Sequence, residues 1–202
     1  LGCHTGTISD AFLELYQAGK LTNAHKELDT GLSAWNLAMG SQELYDWLDA
    51  EPQLFHPGDL DYIHSVERIS KFSNVISING GVQLDLMGQE NAESTGTRQL
   101  SGVGGQMDFL EGAYRSKGGK GFICINSSRV TKDGERKSNI LATIPGGSTI
   151  SAPRTMIQYV ATEYGIASLS GKTLRERAEA MASIAHPEFR EELMKYAQEN
   201  FK

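Results

Sequence analysis

The chain has 202 residues, of which 39% are hydrophobic, so it is long enough to bury a core and fits one large domain or two small ones. Its formal net charge of −6 at pH 7 argues against a nucleic-acid binder, whose surface normally carries a clustered basic face. No stretch approaches the roughly 18 apolar residues of a membrane span, and the first residues lack the basic and apolar regions of a signal peptide.

The cysteines and histidines indicate neither a disulfide framework nor a metal site. Cys3 lies among turn residues, whereas Cys124 lies inside the apolar run GFICI, far away in the sequence. Two unrelated cysteines of this kind fit a reducing cytoplasm better than an oxidising compartment. The five histidines show none of the spacings that are typical of metal ligands, so we expect no metal.

Helices are predicted near both ends of the chain and once before the central strands. Each combines apolar residues at helical spacing with a start or stop signal. Ser9 and Ser41 are expected N-caps, Gly19 and Pro52 are expected terminators, and Pro187 begins the last helix. The predicted helices cover residues 11–19, 41–52, 173–185 and 187–201.

Strands are predicted where apolar residues alternate or run together between turn residues. Gly80 and Gly81 permit a bend or tight turn between two of them. The segment 127–139 mixes basic and acidic residues without periodicity, so we expect a solvated, mobile surface loop there. Helices at both ends with strands between them predict an α/β domain. The predicted strands lie within residues 32–40, 74–80, 82–88, 121–126, 139–145 and 157–163.

The segment SGVGGQMDFLEG, residues 101–112, places Gly102, Gly104 and Gly105 within four positions and then becomes amphipathic. Glycine loses more backbone freedom on folding than any other residue, so this density calls for a reason. The segment is not a Walker loop, because the ending Gly-Lys-Ser/Thr is missing, and its third glycine comes too early for a dinucleotide fingerprint. Two uses remain open, an anion hole made of backbone N–H groups and a close packing turn.

The polar residues around these glycines are consistent with an anion hole but do not exclude a packing turn. Asn91, Ser101 and Gln106 lie in or near the segment, between elements that otherwise bury well. Backbone amides among such groups can stabilise an oxygen that gains negative charge in a transition state. The packing turn stays open as the alternative.

Three acids are candidates for a carboxylate nucleophile or a general base. Glu90 and Glu93 lie in the polar stretch QENAESTG, and Glu163 follows the apolar run QYVAT at the predicted end of a strand. Acids at such positions are more often solvated or capping residues, and that structural role is the alternative for each of the three. The sequence does not decide between the two interpretations.

Four separated segments, in this order along the chain, closely resemble the C-terminal half of the acetyl-CoA hydrolase/transferase family, which includes 4-hydroxybutyrate and butyrate:acetate CoA-transferases. Together they span nearly the whole chain, and four ordered motifs are far more specific than one glycine pattern. The segments are residues 1–23, 78–94, 101–121 and 162–193.

The resemblance implies a fold, a domain arrangement and a substrate. The fold is a CoA-transferase-like open α/β sheet flanked by helices, of the NagB/RpiA/CoA-transferase type. Residues 1–202 are then the second of two similar domains, and the active site lies in a cleft completed by an N-terminal domain outside this chain. Coenzyme A is bound as an acyl thioester, the second substrate is a short-chain carboxylate, and a homo-oligomer is expected.

The same resemblance implies roles for particular residues. The glycine loop from Gly102 through Gly104 and Gly105 to Gln106 lies against the thioester, and the backbone N–H of Gly104 is the expected donor to the oxyanion or to CoA. Asn79 and Gly80, at the end of a predicted strand, line the acyl or CoA pocket. Lys117 and Lys120 are further candidates for the anionic end of CoA, with a solvated turn as the alternative.

One position departs from the family pattern. Family transferases carry a nucleophilic glutamate in a stretch His-Thr-Glu or His-Ser-Glu before the first helix, whereas this chain has His4-Thr5-Gly6. Glycine forms no acyl anhydride, so another carboxylate acts, water attacks directly, or the pocket only binds acyl-CoA in a binding or regulatory protein. Glu93 is one candidate replacement, although the family has an acid in this stretch even when the usual nucleophile is present.

Overall fold

The computed structural model describes residues 1–201, and the chain divides into two compact units. The first unit consists of residues 1–75 and 112–119, and the second consists of residues 76–111 and 120–201. None of the helices in residues 1–201 is long and apolar enough to cross a membrane. Cys3 and Cys124 are both free thiols, as expected from their unlike sequence contexts.

The first unit is built on a three-stranded parallel sheet, ordered β1-β2-β3. Helices connect these strands, as parallel pairing requires. Ile8, Leu13, Leu44 and Trp47 are buried together in its core. Its strands are β1 (His4–Ile8), β2 (Ser33–Ala38) and β3 (Phe55–Pro57), and its helices are α1 (Asp10–Gln17), α2 (Gln42–Ala50), α3 (Leu60–Ile63) and α4 (Val66–Ile69).

The ends of α1 and α2 follow from local chemistry. Gly19 adopts a φ of +67° just beyond α1, which is the conformation expected of a glycine terminator. The Ser41 hydroxyl accepts a hydrogen bond from the Leu44 N–H, so the predicted N-cap of α2 is confirmed. Ser9 occupies the N-cap position of α1, but its side chain makes no capping bond. Asp10 instead accepts hydrogen bonds from the backbone N–H and the hydroxyl of Ser41.

The second unit contains a four-stranded sheet ordered β14-β13-β9-β4. Strands β4, β9 and β13 run parallel, and β14 pairs antiparallel with β13. The carboxyl ends of the three parallel strands therefore lie at one edge of the sheet. The four strands are β4 (Ile76–Gly80), β9 (Lys120–Cys124), β13 (Tyr159–Thr162) and β14 (Gly165–Ser168).

Short strands and three helices complete the second unit. One small sheet has the order β12-β5-β6, and two antiparallel hairpins are formed by β7 with β8 and by β10 with β11. These strands are β5 (Gln83–Asp85), β6 (Glu90–Asn91), β7 (Ser94–Thr95), β8 (Arg98–Gln99), β10 (Ser128–Val130), β11 (Arg136–Ser138) and β12 (Ile140–Leu141). The helices are α5 (Gln106–Arg115), of which residues 106–111 belong to this unit, α6 (Leu174–Ser183) and α7 (Pro187–Asn200).

The structure confirms the predicted α/β class and the positions of the four predicted helices. Three sequence-based expectations need adjustment. The segment 139–145 forms only the two-residue strand Ile140–Leu141. The bend at Gly80 and Gly81 joins strands of two different sheets. The expected loop at 127–139 is wrong, because β10 and β11 pair there as a hairpin whose side chains are mostly exposed.

The core of the second unit includes a buried arginine that joins three segments of the chain. Arg177 on α6 is 8% exposed and donates hydrogen bonds to the backbone oxygens of Met87, Arg154 and Leu169, each at 2.8 Å. Gly88 has a φ of +84°, and a Cβ on it would lie 2.6 Å from the guanidinium. The guanidinium thus takes the place of a side chain at this turn.

Replacing Arg177 by leucine is expected to lower the free energy of unfolding by about 3 kcal/mol, because several buried carbonyl groups lose their donors. Urea unfolding measures this loss. Arg175→Leu on the same helix is the matched control, since Arg175 is half-exposed and pairs only with Glu179 one turn away, a contact worth about 0.3–0.5 kcal/mol. Equal losses in the two variants would contradict the role of Arg177.

Candidate functional site

The glycine loop, residues 102–105, lies in the second unit and leads directly into α5. Gly104 has a φ of +59°, a conformation that residues with a side chain rarely adopt. No heavy atom of the described chain comes within 4 Å of a Cβ placed on Gly102 or Gly104. The glycines therefore do not make room for other protein atoms. They set a left-handed turn and leave open space beside the backbone.

The backbone N–H groups of this loop are available for a ligand. Within the part of the chain that the structure describes, the N–H groups of Gly102, Gly104 and Gly105 donate to no protein acceptor. The next residue, Gln106, is the first of α5, so the loop lies at the N-terminus of a ten-residue helix. Unpaired N–H groups and the positive end of the helix dipole favour an anion at such a position.

A buried carboxyl group lies behind this helix start. The side-chain amide of Gln106 donates to Oε2 of Glu90 at 2.8 Å. Glu90 belongs to β6 and has no exposed surface. Its other oxygen, Oε1, is buried and has no hydrogen-bond partner among residues 1–201. The interpretation of Glu90 as a solvated acid is therefore wrong.

The environment of Glu90 favours the neutral carboxylic acid. Burial raises its pKa from 4.5 to about 7, the hydrogen bond from Gln106 opposes that rise, and the nearby charge of Glu93 adds to it. Apolar groups close the other side, since a Cβ on Gly81 would lie 2.9 Å from both Oε1 of Glu90 and Ile125. Near neutral pH, Glu90 therefore exchanges between its neutral and ionised forms.

Glu93 is also buried, being 8% exposed, and its contacts are structural. Its backbone oxygen accepts hydrogen bonds from the N–H groups of Leu100 and Ser101, and its carboxylate accepts one from the Gln99 side chain at 3.3 Å. Asn91 fixes the preceding turn, because its side-chain oxygen accepts from the N–H groups of Glu93 and Ser94. Glu93 thus anchors the start of the glycine loop, and a catalytic role for it stays a prediction.

The structure places Asn79 and Gly80 at the carboxyl end of β4. Ligands of open α/β sheets bind beyond the carboxyl ends of parallel strands, so this edge suits the expected acyl or CoA contact. The Asn79 amide donates to the Ser77 hydroxyl at 2.8 Å, and Gly80 is exposed. Gly81, the next residue, lies against Glu90, which in turn contacts Gln106. Glu90 therefore connects the sheet edge with the glycine loop.

The remaining acid candidate, Glu163, has a structural role. Its two carboxylate oxygens accept hydrogen bonds from the hydroxyl and the backbone N–H of Ser127, at 2.6 and 2.9 Å. Burial acts to raise its pKa, but these hydrogen bonds outweigh burial and lower it. Lys117 and Lys120 are exposed and lie in different units. A contact of either lysine with CoA stays a prediction.

The stretch that departs from the family pattern lies in the first unit. Gly6 is in the middle of β1 and is partly buried. His4, at the start of the same strand, has its Nε2 2.8 Å from the backbone oxygen of Ile63. Burial lowers the pKa of His4 to about 4, so its imidazole is neutral at physiological pH. No carboxylate of β1 stands at the position where the family pattern expects one, since residues 4–8 read HTGTI.

The second unit also has an open hollow of about 380 Å³ near β14 and α6. It is lined by Ile166, Ser168, Lys172, Glu176 and Glu179, among others. None of its lining residues belongs to the glycine loop or to the end of β4. We attribute no ligand to it. Within residues 1–201, no group of three or more His, Cys, Asp or Glu side chains is placed to hold a metal ion.

Comparison with known proteins gives a consistent assignment. The model of the family described as "Acetyl-CoA hydrolase/transferase C-terminal domain" matches residues 40–197. Butyryl-CoA:acetate CoA-transferase of Anaerostipes caccae is 43% identical over 198 residues, which are 98% of this chain and 44% of that protein. The 4-hydroxybutyrate coenzyme A transferase of Clostridium kluyveri is 44% identical over 201 residues, which are 100% of this chain and 46% of that protein.

A solved structure agrees with this result. RipA from Yersinia pestis superposes with a TM-score of 0.88 at 38% sequence identity, covering 98% of this chain and 44% of that one. The chain thus spans less than half the length of the relatives that it matches. The CoA-transferase-like fold predicted from the sequence is confirmed.

The raised pKa of Glu90 predicts how stability depends on pH. Because the folded state holds a proton up to about pH 7 and the unfolded state releases it near pH 4.5, the free energy of unfolding falls as the pH rises between these values. Glu90→Gln cannot ionise, so relative to the wild type it gains about 3 kcal/mol between pH 4.5 and pH 8. Urea unfolding at several pH values measures the gain.

The exposed Glu192 on α7 is the control for this measurement. Glu192→Gln should follow the wild-type dependence of stability on pH. If Glu90→Gln also followed it, the carboxyl group of Glu90 would be ionised throughout the range, and its proposed environment would be wrong.

Proposed function

We propose that the full-length protein acts on acyl-CoA thioesters. The premise is that this chain belongs to the acetyl-CoA hydrolase/transferase family and corresponds to its C-terminal domain. The reaction is CoA transfer between a short-chain acyl-CoA and a carboxylic acid, or hydrolysis of the acyl-CoA. The observation that carries the proposal is the set of unpaired loop N–H groups at the start of α5, next to the open space beside Gly104.

The chemistry of a thioester explains why such a loop is useful. When a nucleophile attacks the carbonyl carbon, the carbonyl oxygen gains negative charge, and fixed N–H donors stabilise that charge without reorganising. Gly104 and Gly105 offer two such donors, and Asn79 and Gly80 are proposed to line the acyl or CoA pocket at the sheet edge. We propose that an N-terminal domain, present in proteins about twice as long as this chain, completes the cleft, and that the protein forms a homo-oligomer.

Gly6 favours hydrolysis over transfer within this proposal. Transfer through a glutamyl thioester needs a carboxylate that attacks the acyl-CoA, and β1 offers none between residues 4 and 8. In hydrolysis, the oxygen of water attacks the carbonyl carbon, the carbon–sulfur bond breaks, and CoA leaves as the thiol after taking up a proton. The products are CoA and the free carboxylic acid, and no enzyme carboxylate is bonded to either.

The same residue supports a second candidate function from another class. A protein that has lost the nucleophile and kept the pocket binds acyl-CoA without turnover and acts as a binding or regulatory protein. Calorimetric titration with acetyl-CoA, together with a turnover assay, separates the two candidates. Binding without turnover favours the regulatory protein, turnover favours the enzyme, and the absence of both rejects the proposed function.

Replacing Gly104 tests the loop itself. Gly104→Ala is expected to lower kcat/KM for acetyl-CoA by about 10- to 100-fold, because alanine disfavours the left-handed conformation and moves the donors. Gly104→Asn should retain more activity, since asparagine tolerates a positive φ better than alanine. Gly102 has open space and no positive φ, so Gly102→Ala is the control for added bulk. Unchanged activity in Gly104→Ala would mean that the loop is only a turn.

Restoring the carboxylate tests the interpretation of Gly6. Gly6→Glu, incubated with acetyl-CoA and then hydroxylamine or borohydride, is expected to yield a modified glutamate at position 6, detected by peptide mass spectrometry, and to raise CoA transfer to added acetate. Gly6→Gln is the matched control, because it has the same size and no nucleophilic carboxylate. A trapped carboxylate in the wild-type protein would show instead that the covalent route uses another residue.

A further inference from the structure

The glycine loop is held at both ends by one short segment of the chain. At its start, the backbone oxygen of Glu93 accepts from the N–H groups of Leu100 and Ser101, at 2.6 and 3.2 Å. At its end, the Glu90 carboxyl group accepts from the Gln106 side chain at 2.8 Å. Between these two anchors, the loop N–H groups have no protein acceptor among residues 1–201. The shape of the loop therefore depends on the two anchors.

Glu90 is itself fixed by its backbone. Its N–H donates to the oxygen of Ala152 at 3.0 Å, and its oxygen accepts from the N–H of Ser151 at 2.8 Å. β6 also pairs with β5, which places Glu90 opposite Leu84. The carboxyl group consequently has little freedom to follow the loop. A change in its charge acts at a fixed place behind the start of α5.

We infer that Glu90 is a positioning residue for the proposed reaction: its carboxyl group anchors Gln106 in both protonation states, its neutral form leaves the loop N–H groups open to an anionic oxygen, and its ionised form opposes that anion. The inference rests on the proposed function. Glu90 does not touch the substrate, because it has no exposed surface. It acts through Gln106 and through its charge.

The groups around Glu90 explain why its ionised form would be unfavourable to the reaction. From α5 it meets the neutral amide of Gln106, and from its own segment it meets the like charge of Glu93. The neighbours at the sheet edge are Gly81 and Ile125, which carry no charge. No cation of the described chain is among the groups that act on it.

An ionised Glu90 would compete with the ligand for the same positive helix end. The N-terminus of α5 stabilises about half an elementary charge. An ionised Glu90, whose Oε2 lies 2.8 Å from the side-chain nitrogen of Gln106, partly neutralises that positive charge. It also repels a second negative charge at the loop. The oxyanion is therefore stabilised best while Glu90 carries its proton. Since the pKa of Glu90 is raised to about 7, the change falls near neutral pH.

The test is the pH dependence of kcat/KM for acetyl-CoA, measured on the full-length protein between pH 6 and pH 8.5. The wild-type value is expected to fall about tenfold or more across this range, as the neutral fraction of a group with a pKa near 7 declines. In Glu90→Gln, which keeps an oxygen for Gln106 and cannot ionise, the fall should shrink to less than about twofold. Glu192→Gln should retain the wild-type fall.

Two further variants separate the anchor from the charge. Glu90→Leu removes both, so kcat/KM should be low at every pH and the fall should be absent. Gln106→Leu removes only the anchor, so kcat/KM should be lower while the fall persists. Circular dichroism of each variant, compared with the wild type, identifies any loss of folding. Because Glu90→Gln is a conservative change that keeps the shape, it carries the test if Glu90→Leu does not fold.

The outcomes distinguish this inference from the proposed function. Wild-type turnover with a fall that is unchanged in Glu90→Gln overturns the positioning role and leaves the proposed function standing. If the wild-type protein neither binds nor turns over acetyl-CoA at any pH in the range, the proposed function is rejected, and the role of Glu90 is rejected with it. If the fall in kcat/KM with rising pH is lost in Glu90→Gln and retained in Glu192→Gln, the inference is supported.

Discussion

The hydrogen bond between the Gln106 side chain and the buried carboxyl group of Glu90 is the contact on which the candidate site depends. It joins the end of β4, through Gly81, to the start of α5, and so brings together two stretches that the sequence separates by about 25 residues. Without this hydrogen bond, no side chain of β6 would hold the C-terminal end of the glycine loop. A buried acid is costly, so its position behind the glycine loop is better explained by the proposed function than by stability.

The loop itself combines an entropic cost with few internal bonds. Gly104 adopts a positive φ, and the exposed N–H groups of the loop are left to solvent. Glycines of this kind stabilise nothing by burial, and the cost of ordering them must be offset elsewhere. The offset comes from the backbone bonds at Glu93 and from the packing of α5, whose Leu110 is fully buried. An open loop between rigid anchors is what a preorganised donor requires.

Sequence reasoning succeeded where the determining contacts are local. Ser41 caps α2, and Thr173 forms a capping box with Glu176 at α6, so the helices could be read from neighbouring residues. The hairpin at 127–139 was missed because its pairing is exposed and has no apolar alternation. The burial of Glu90 was missed for a different reason. β6 has two residues, and the groups that enclose Glu90 come from distant segments, among them Ala152.

The positions of Glu90 and Glu93 also bear on which residues of this chain can act as a nucleophile. A carboxylate nucleophile must reach the carbonyl carbon of a thioester, and Glu90 has no exposed surface, while Glu93 is 8% exposed and accepts a hydrogen bond from the Gln99 side chain. Glu90 therefore does not replace the glutamate that the family pattern places where this chain has Gly6, and a catalytic role for Glu93 stays a prediction. In the proposed function, the second unit contributes stabilisation of the developing oxyanion, which serves attack by water as well as attack by a carboxylate. We propose that oxyanion stabilisation survives the change at position 6 even where the covalent step is lost.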